Sequence, residues 1–242
     1  DTCTPADGAT ASVLVAAEKF NDASGNDNSV SNTYSWTYDG TGPTMTITSA
    51  TVDSGSTTAT AAAALVFTSN EATTDFAAAD ITAGSCTLGT FAATSSTVYT
   101  DTCTPADGAT ASVSVAAGTF SDASGNTNSV SNTYTWTYDG TGPTMTITSA
   151  TVDSGSTTAT AAAALVFTSN EATTDFAAAD ITAGSCTLGT FAATSSTVYT
   201  DTCTPADGAT ASVSVAAGTF SDASGNTNSV SNTYTWTYDG TG

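Results

Sequence analysis

The sequence has no histidine, and its one basic residue, Lys19, stands against 22 aspartates and glutamates, giving a net charge of -21. Nucleic acid and anionic membrane surfaces are thereby excluded as partners, because both are held through Lys and Arg. The same scarcity removes Ser-His-Asp and Cys-His nucleophile pairs, Schiff-base lysines and arginine clamps on phosphoryl groups. Aromatic residues make up only 8% of the chain, so each core is modest. No apolar run approaches the roughly 20 residues of a membrane-spanning helix, and no basic-then-apolar leader opens the sequence. Targeting information is expected outside it. What remains as chemistry is carboxylate work, thiol work and the binding of hard cations.

What the sequence has in abundance is repetition. Residues 43–142 and 143–242 are identical, a period of 100. Residues 1–42 match 101–142 except at six positions: Leu14, Glu18, Lys19, Asn21, Asp27 and Ser35. A 100-residue period is the size of a domain rather than of a solenoid or propeller unit. The organisation expected is therefore 1–42 as the C-terminal part of one repeat, 43–142 as a complete repeat and 143–242 as a second, with Asp139-Gly140-Thr141-Gly142-Pro143 as the boundary. Residues 1–42 alone cannot bury their apolar face.

Within a repeat the periodicity is two. Met45 and Ile47 alternate with Thr44, Thr46 and Thr48; Val113 and Val115 alternate with serines; Tyr134, Trp136 and Tyr138 alternate with threonines. Further strands are expected over Ala61 to Thr68 with Leu65 and Phe67 inward, around Ile81, over Leu88 to Phe91 and over Val98 to Thr104. The Ala62-Ala63-Ala64 run is too short to nucleate a helix and leads into Leu65-Val66-Phe67. About seven short strands per repeat predict an all-β fold of tandem immunoglobulin-like antiparallel sandwiches. Asp53-Ser-Gly-Ser and Asp107-Gly read as hairpin turns, and Trp136 as a core residue rather than a sugar platform.

The five cysteines fall at 3, 86, 103, 186 and 203. The repeat resolves the odd count into two pairs with equal spacing, Cys86 with Cys103 and Cys186 with Cys203, and Cys3 as the second member of a further pair. A hairpin about Thr94-Ser95 that sets Phe91 opposite Val98 also sets Cys86 opposite Cys103, which predicts a disulfide and an oxidising, extracellular compartment. The alternative is a pair of reduced, buried thiols. Without CxxC spacing or histidine a zinc site is not expected, and without a neighbouring cation neither is thiol catalysis.

Four segments in order carry a family resemblance: Pro143-Thr-Met-Thr-Ile-Thr148, Phe167-Thr-Ser-Asn-Glu171-Ala-Thr-Thr-Asp175-Phe176, Ala192-Ala-Thr-Ser-Ser-Thr-Val-Tyr199 and Phe220-Ser-Asp222-Ala-Ser-Gly-Asn226. Together they resemble the bacterial Ig-like tandem repeats of large extracellular adhesins and surface filaments. The resemblance implies an exported, repetitive stalk at the cell surface whose domains are stiffened by calcium near their junctions. The cysteines depart from that pattern.

Eight carboxylates occur in each complete repeat, and no lysine or arginine accompanies them. A hard cation that gathers several oxygens relieves such repulsion. With the resemblance, the Asp122 to Asn126 loop, the Asp139 linker and the Asn170-Glu171 to Asp175 loop are the expected Ca2+ ligands. A junction site would draw Asp122, Asn126 and Asp139 from one repeat and Glu171 or Asp175 from the next. The competing reading is that these are turn residues, since Asp, Asn and Gly favour turns for backbone reasons. A glycosidase pair at Glu71 and Asp75 has no sugar cleft in evidence and is set aside.

The reading that follows is a non-catalytic extracellular stalk or filament, with further copies of the same repeat in cis and identical chains in a filament as its partners. The alternatives are a binding module using files such as Thr44-Thr46-Thr48 and Thr133-Thr135-Thr137 for glycan or ice, and a self-assembling sheath or surface layer. With no lysine in either complete repeat, Lys-to-Asn isopeptide bonds are excluded, and disulfides and ions must supply the reinforcement.

Overall fold

The computed structural model describes residues 1–241. They form two compact units, residues 1–50 with 64–103 and 112–134, and residues 51–63 with 104–111 and 135 onward. The second unit contains the whole of the last repeat, which shows how the sequence makes the fold.

Alternation sets the strands. In Met145–Ser149 the buried residues are Met145 and Ile147, and in Ala163–Ser169 they include Ala163, Leu165 and Phe167. The two pair antiparallel with Ile147 opposite Phe167, so both apolar files face the same side. Val198–Pro205 joins on the other edge of Ala163–Ser169, and Cys186–Leu188 and Ala192–Ala193 pair with Val198–Pro205 in turn. The second sheet runs Thr157–Thr158, Tyr234–Tyr238, Thr210–Val215, Ile181–Gly184. Its one parallel pairing is the short Thr157–Thr158 against Thr237 and Tyr238.

The inner faces meet in one core. Met145, Ile147, Leu165, Phe167, Tyr199 and Cys203 come from the first sheet and Val213, Val215, Tyr234 and Trp236 from the second. Phe176 arrives from a loop and fills the centre, with its ring 4.9 Å from those of both Tyr199 and Phe220 and edge-on to each. This is the immunoglobulin-like sandwich that the alternation predicts, and the Ala162 to Ala164 stretch leads into a strand rather than a helix.

Three local expectations need correction. The strand placed at Leu88 to Phe91 lies instead at Cys86–Leu88, with its repeat at Cys186–Leu188. Here Cys186 faces Pro205 and Leu188 faces Cys203, two positions from the expected register. An even offset keeps both cysteines on the inner face, and the bridge closes diagonally. Between Leu188 and Ala192 three residues oppose only two of the partner strand, a bulge. The Gly189 amide fills it by donating to the Thr202 carbonyl at 2.8 Å and to the buried Asp201 carboxylate at 3.0 Å. Finally, the Asp153 and Asp207 turns are not hairpins. Each carries the chain from one sheet to the other, and Gly155 and Gly208 supply the left-handed backbone at φ 82° and 74°.

The strands of residues 45–138 recur at the same positions shifted by 100. Both complete repeats are bridged, Cys86 to Cys103 and Cys186 to Cys203, each with Cα atoms 5.7 Å apart, and Cys3 is free.

Candidate metal centre

The loop from Ser221 to Thr227 is closed by a bridge between those two residues and organised by Asp222. Its Oδ1 accepts from the amides of Ser224 at 2.8 Å and Asn226 at 2.9 Å, and its Oδ2 from the Asn226 side chain at 3.0 Å. Gly225, at φ 93°, allows so tight a turn. Asp222 itself is only 6% exposed.

Two further carboxylates converge on this loop. Asp139 accepts from the Ser224 hydroxyl at 2.7 Å, and its backbone carbonyl accepts from the Asn226 side chain at 2.8 Å. Glu171 stands beside the isolated bridge between Thr173 and Asp222. One carboxylate oxygen from each of Asp139, Glu171 and Asp222 lies within 4.8 Å of the others. Burial first, then the charges of Asp222 and Asp139, push the Glu171 carboxyl above the usual glutamate range. Its Oε1 is buried without a hydrogen-bond partner among the described residues.

The first unit repeats the arrangement. Asp39, Glu71 and Asp122 meet under the same criterion, the Ser124 hydroxyl donates to Asp39 at 2.9 Å and the Asn126 side chain donates to the Asp39 carbonyl at 3.1 Å. Glu71 is likewise pushed up by burial, then by Asp39 and Asp122. Asp122 is held low, chiefly by the Asn126 side chain.

The five expected ligands therefore do not form one group. Asp139 and Glu171 come together, but their companions are Asp222 and Asn226. Asp122 and Asn126 instead meet Asp39 and Glu71, because the 122–126 loop packs beside its own repeat's 70–75 loop through the bridge between Thr73 and Asp122. Asp175 lies apart from the carboxylate group and accepts from the Ser221 amide and hydroxyl at 2.7 and 3.1 Å. The repeat holds every residue type needed; which copy of the loop meets which copy of the linker is decided in the fold, where Ser224 and Asn226 bond Asp139 and Ser124 and Asn126 bond Asp39.

The linker is fixed by other contacts. The Asp139 amide donates to the Thr58 carbonyl at 3.0 Å, and the Gly140 amide to the Asp107 carboxylate at 2.6 Å. The Thr141 hydroxyl adds a bond to Asp107 and is the main cause holding that carboxyl low. Gly142 passes so close to the Thr227 carbonyl that a Cβ there would sit 2.2 Å from its oxygen.

Three carboxylates in one shell, with no nitrogen or sulfur donor in the group, suit a hard cation of the calcium type, which takes six to eight oxygens in flexible geometry. Waters would complete such a shell.

The sequence matches the family described as Bacterial Ig-like domain in two consecutive copies, residues 39–138 and 139–238. Among solved structures the chain is similar to InvD of Yersinia pseudotuberculosis at 19% identity and a TM-score of 0.34, over 81% of this chain and 57% of that one. It is similar to invasin, described as a bacterial integrin-binding protein, at 12% identity and a TM-score of 0.42, over 87% and 50%. A third is the adhesin InvE of Yersinia pseudotuberculosis, at 16% identity and a TM-score of 0.28, over 81% and 58%. The chain thus spans little more than half the length of these structures. No curated protein is significantly similar to it in sequence.

Proposed function

The chain belongs to the bacterial Ig-like domain family, and on that premise we propose that it is a non-catalytic length of extracellular stalk or filament, made of tandem repeats in cis and stiffened by Ca2+ at its two carboxylate groups. The observation that carries this reading is the make-up of those groups. Asp39 and Asp139 each precede the repeat that supplies the other two acids, Glu71 with Asp122 and Glu171 with Asp222. A cation held by all three ties the segment leading into a repeat to two loops of that repeat. With an identical 100-residue period, the tie recurs at each successive repeat.

Charge supports the assignment. At a net -21 with one basic residue, the chain has no internal means of neutralising three converging carboxylates. Two disulfides support an oxidising, extracellular location. The test is a thermal melt of the chain in excess Ca2+ and in chelator. Ion binding to the folded state alone raises the midpoint, by about 2.7 kcal/mol of stability at an ion concentration 100 times Kd. Superimposable melts would remove the ion from the account.

One observation favours a binding reading. The outward residues of the first sheet in the last repeat, among them Thr146, Thr148, Thr168, Thr202 and Thr204, include no carboxylate. The files Thr44-Thr46-Thr48 and Thr133-Thr135-Thr137 belong to different sheets, however, and cannot form one lattice. Ice shaping or glycan binding by the chain would favour this reading, and inertness would favour the stalk.

A further inference from the structure

Tyr199 lies on the inward phase of Val198–Pro205 and is 5% exposed, its ring edge-on to Phe176 at 4.9 Å and stacked on Phe191 at 5.7 Å. A phenol buried among rings needs a partner for its hydroxyl. Tyr199 has two: its hydroxyl donates to the Ser196 carbonyl at 3.0 Å, and the Thr173 hydroxyl stands 2.5 Å away. Since the one phenolic proton goes to Ser196, Thr173 is the donor in the second bond. The Thr173 amide donates to the same Ser196 carbonyl at 2.9 Å. The three residues close a ring of hydrogen bonds in which Thr173, itself buried, is held by both its amide and its side chain. The first unit has the same ring, with the Thr73 and Tyr99 hydroxyls 2.6 Å apart and Tyr99 donating to the Ser96 carbonyl at 3.0 Å.

This ring anchors the approach to the carboxylate group. Thr173 follows Glu171 by two positions and forms the isolated bridge with Asp222, and the next amide, that of Thr174, donates to the Ser221 carbonyl at 3.1 Å. On the other side of Glu171, the Asn170 amide donates to the Thr144 carbonyl at 3.2 Å, and the Asn170 side chain accepts from the Thr144 amide at 2.6 Å. Glu171 is thus strung between two anchored neighbours. Asp139 and Asp222 are set by hydrogen bonds to their own carboxylates from Ser224 and Asn226. The Glu171 Oε1 is buried with no such bond among the described residues, so its place is given by the backbone that carries it.

We infer that Tyr99 and Tyr199 are positioning residues for cation binding. Acting through Thr73 and Thr173, their hydroxyls place Glu71 and Glu171, the third acid of each group, where an ion held by the two aspartates can reach them. The inference rests on the reading that these groups hold Ca2+. The hydroxyls are not ligands, since each is engaged by a serine carbonyl and a threonine. Removing one leaves the threonine hydroxyl as a buried donor without its acceptor and loosens the segment behind the glutamate. The ion must then order that glutamate as it binds, which weakens affinity. Changes to the partners that orient metal ligands typically weaken binding about tenfold or more.

The Tyr99→Phe, Tyr199→Phe chain keeps both rings and loses both hydroxyls. Titrated with Ca2+ in a calorimeter at pH 7, at a temperature where circular dichroism shows parent and variant equally folded, it is expected to have a Kd raised about tenfold. In chelator, hydrogen exchange over residues 170–174 is expected to be faster in the same chain. A hydroxyl with a merely structural role would lower the melting temperature and leave the Kd of the folded chain where it was. A second pair of variants removes and restores the donor on the other side of the bond. Thr73→Val with Thr173→Val should reproduce the weakening, and Thr73→Ser with Thr173→Ser should bind as the parent does. Equal Kd in the parent and the Tyr→Phe chain, or in the Val and Ser chains, would overturn the inference and leave the ion in place. A parent that binds no Ca2+ would overturn the ion reading and the inference together.

Discussion

The side-chain amide of Asn226 donates to the backbone carbonyl of Asp139 at 2.8 Å and to the carboxylate of Asp222 at 3.0 Å, so one residue holds both the linker and the acid that faces it. Asn126 does the same for Asp39 and Asp122 at 3.1 and 2.9 Å. The two aspartates of each group are thus positioned by protein hydrogen bonds, before any ion is considered. A cation that enters finds two of its three carboxylate ligands set and orders few side chains on binding.

Replacing both asparagines, Asn126→Ala with Asn226→Ala, removes two side-chain donors per group. At about 0.5–1.5 kcal/mol net for each hydrogen bond, each group loses about 1–3 kcal/mol. The expected readout is a lower urea midpoint with an unchanged slope, together with weaker Ca2+ binding. An unchanged midpoint would show that the asparagines do not hold the linker.

Glu71 and Glu171 give a prediction whose sign inverts with the ion. Burial, then neighbouring carboxylates, raise their folded values. Their contribution to stability is therefore full below the ordinary glutamate value, about 4.3, and is lost as pH rises through the raised one. Asp107 and Asp122, held low by Thr141 and Asn126, behave oppositely and lose their contribution as pH falls through their depressed values. In chelator at pH 7 the Glu71→Gln, Glu171→Gln chain should therefore melt above the parent, and in excess Ca2+ below it. The same order in both conditions would contradict the assignment.

The bridges are expected to matter more than their small loops suggest, because the cores hold few large apolar residues. For a sequence separation of 17 the chain-entropy account gives about 3 kcal/mol per bridge. Reduction, or Cys186→Ala with Cys203→Ala, should lower the urea midpoint by a corresponding amount in the affected repeat.

At Gly142 an added Cβ meets the Thr227 carbonyl oxygen, a backbone atom that cannot swing aside. Gly142→Ala is expected to cost about 1–3 kcal/mol through local displacement. Gly155→Ala tests a different cause: nothing obstructs its Cβ, but φ 82° strains any other residue. Urea midpoints of the two variants separate contact from conformation.

Much of this was legible in the residues. Met145 with Ile147, Leu165 with Phe167 and Tyr234 with Trp236 announce their strands by alternation, and the cysteine spacing announces its bridges. The bulge at Gly189 to Phe191 was hidden because the side chain that accepts from its Gly189 amide, Asp201, is an acid on the inward phase of Val198–Pro205, where alternation alone expects an apolar side chain. The two-residue strands Thr157–Thr158 and Ala192–Ala193 are too short to show a period. The grouping of Asp139 with Asp222 was hidden for another reason: identical repeats make Asp122 and Asp222 indistinguishable in sequence, and the choice is made by the bonds that Ser224 and Asn226 give to Asp139.

The most direct test is a calorimetric titration of the chain with Ca2+ at pH 7, beside the Glu71→Gln, Glu171→Gln variant. The carboxylate groups Asp39–Glu71–Asp122 and Asp139–Glu171–Asp222 predict two ions bound per chain and severe weakening in the variant. Absence of binding heat in the parent, with melts that superimpose in Ca2+ and chelator, would contradict an ion-stiffened stalk and leave the acidic loops as hydrogen-bonded turns.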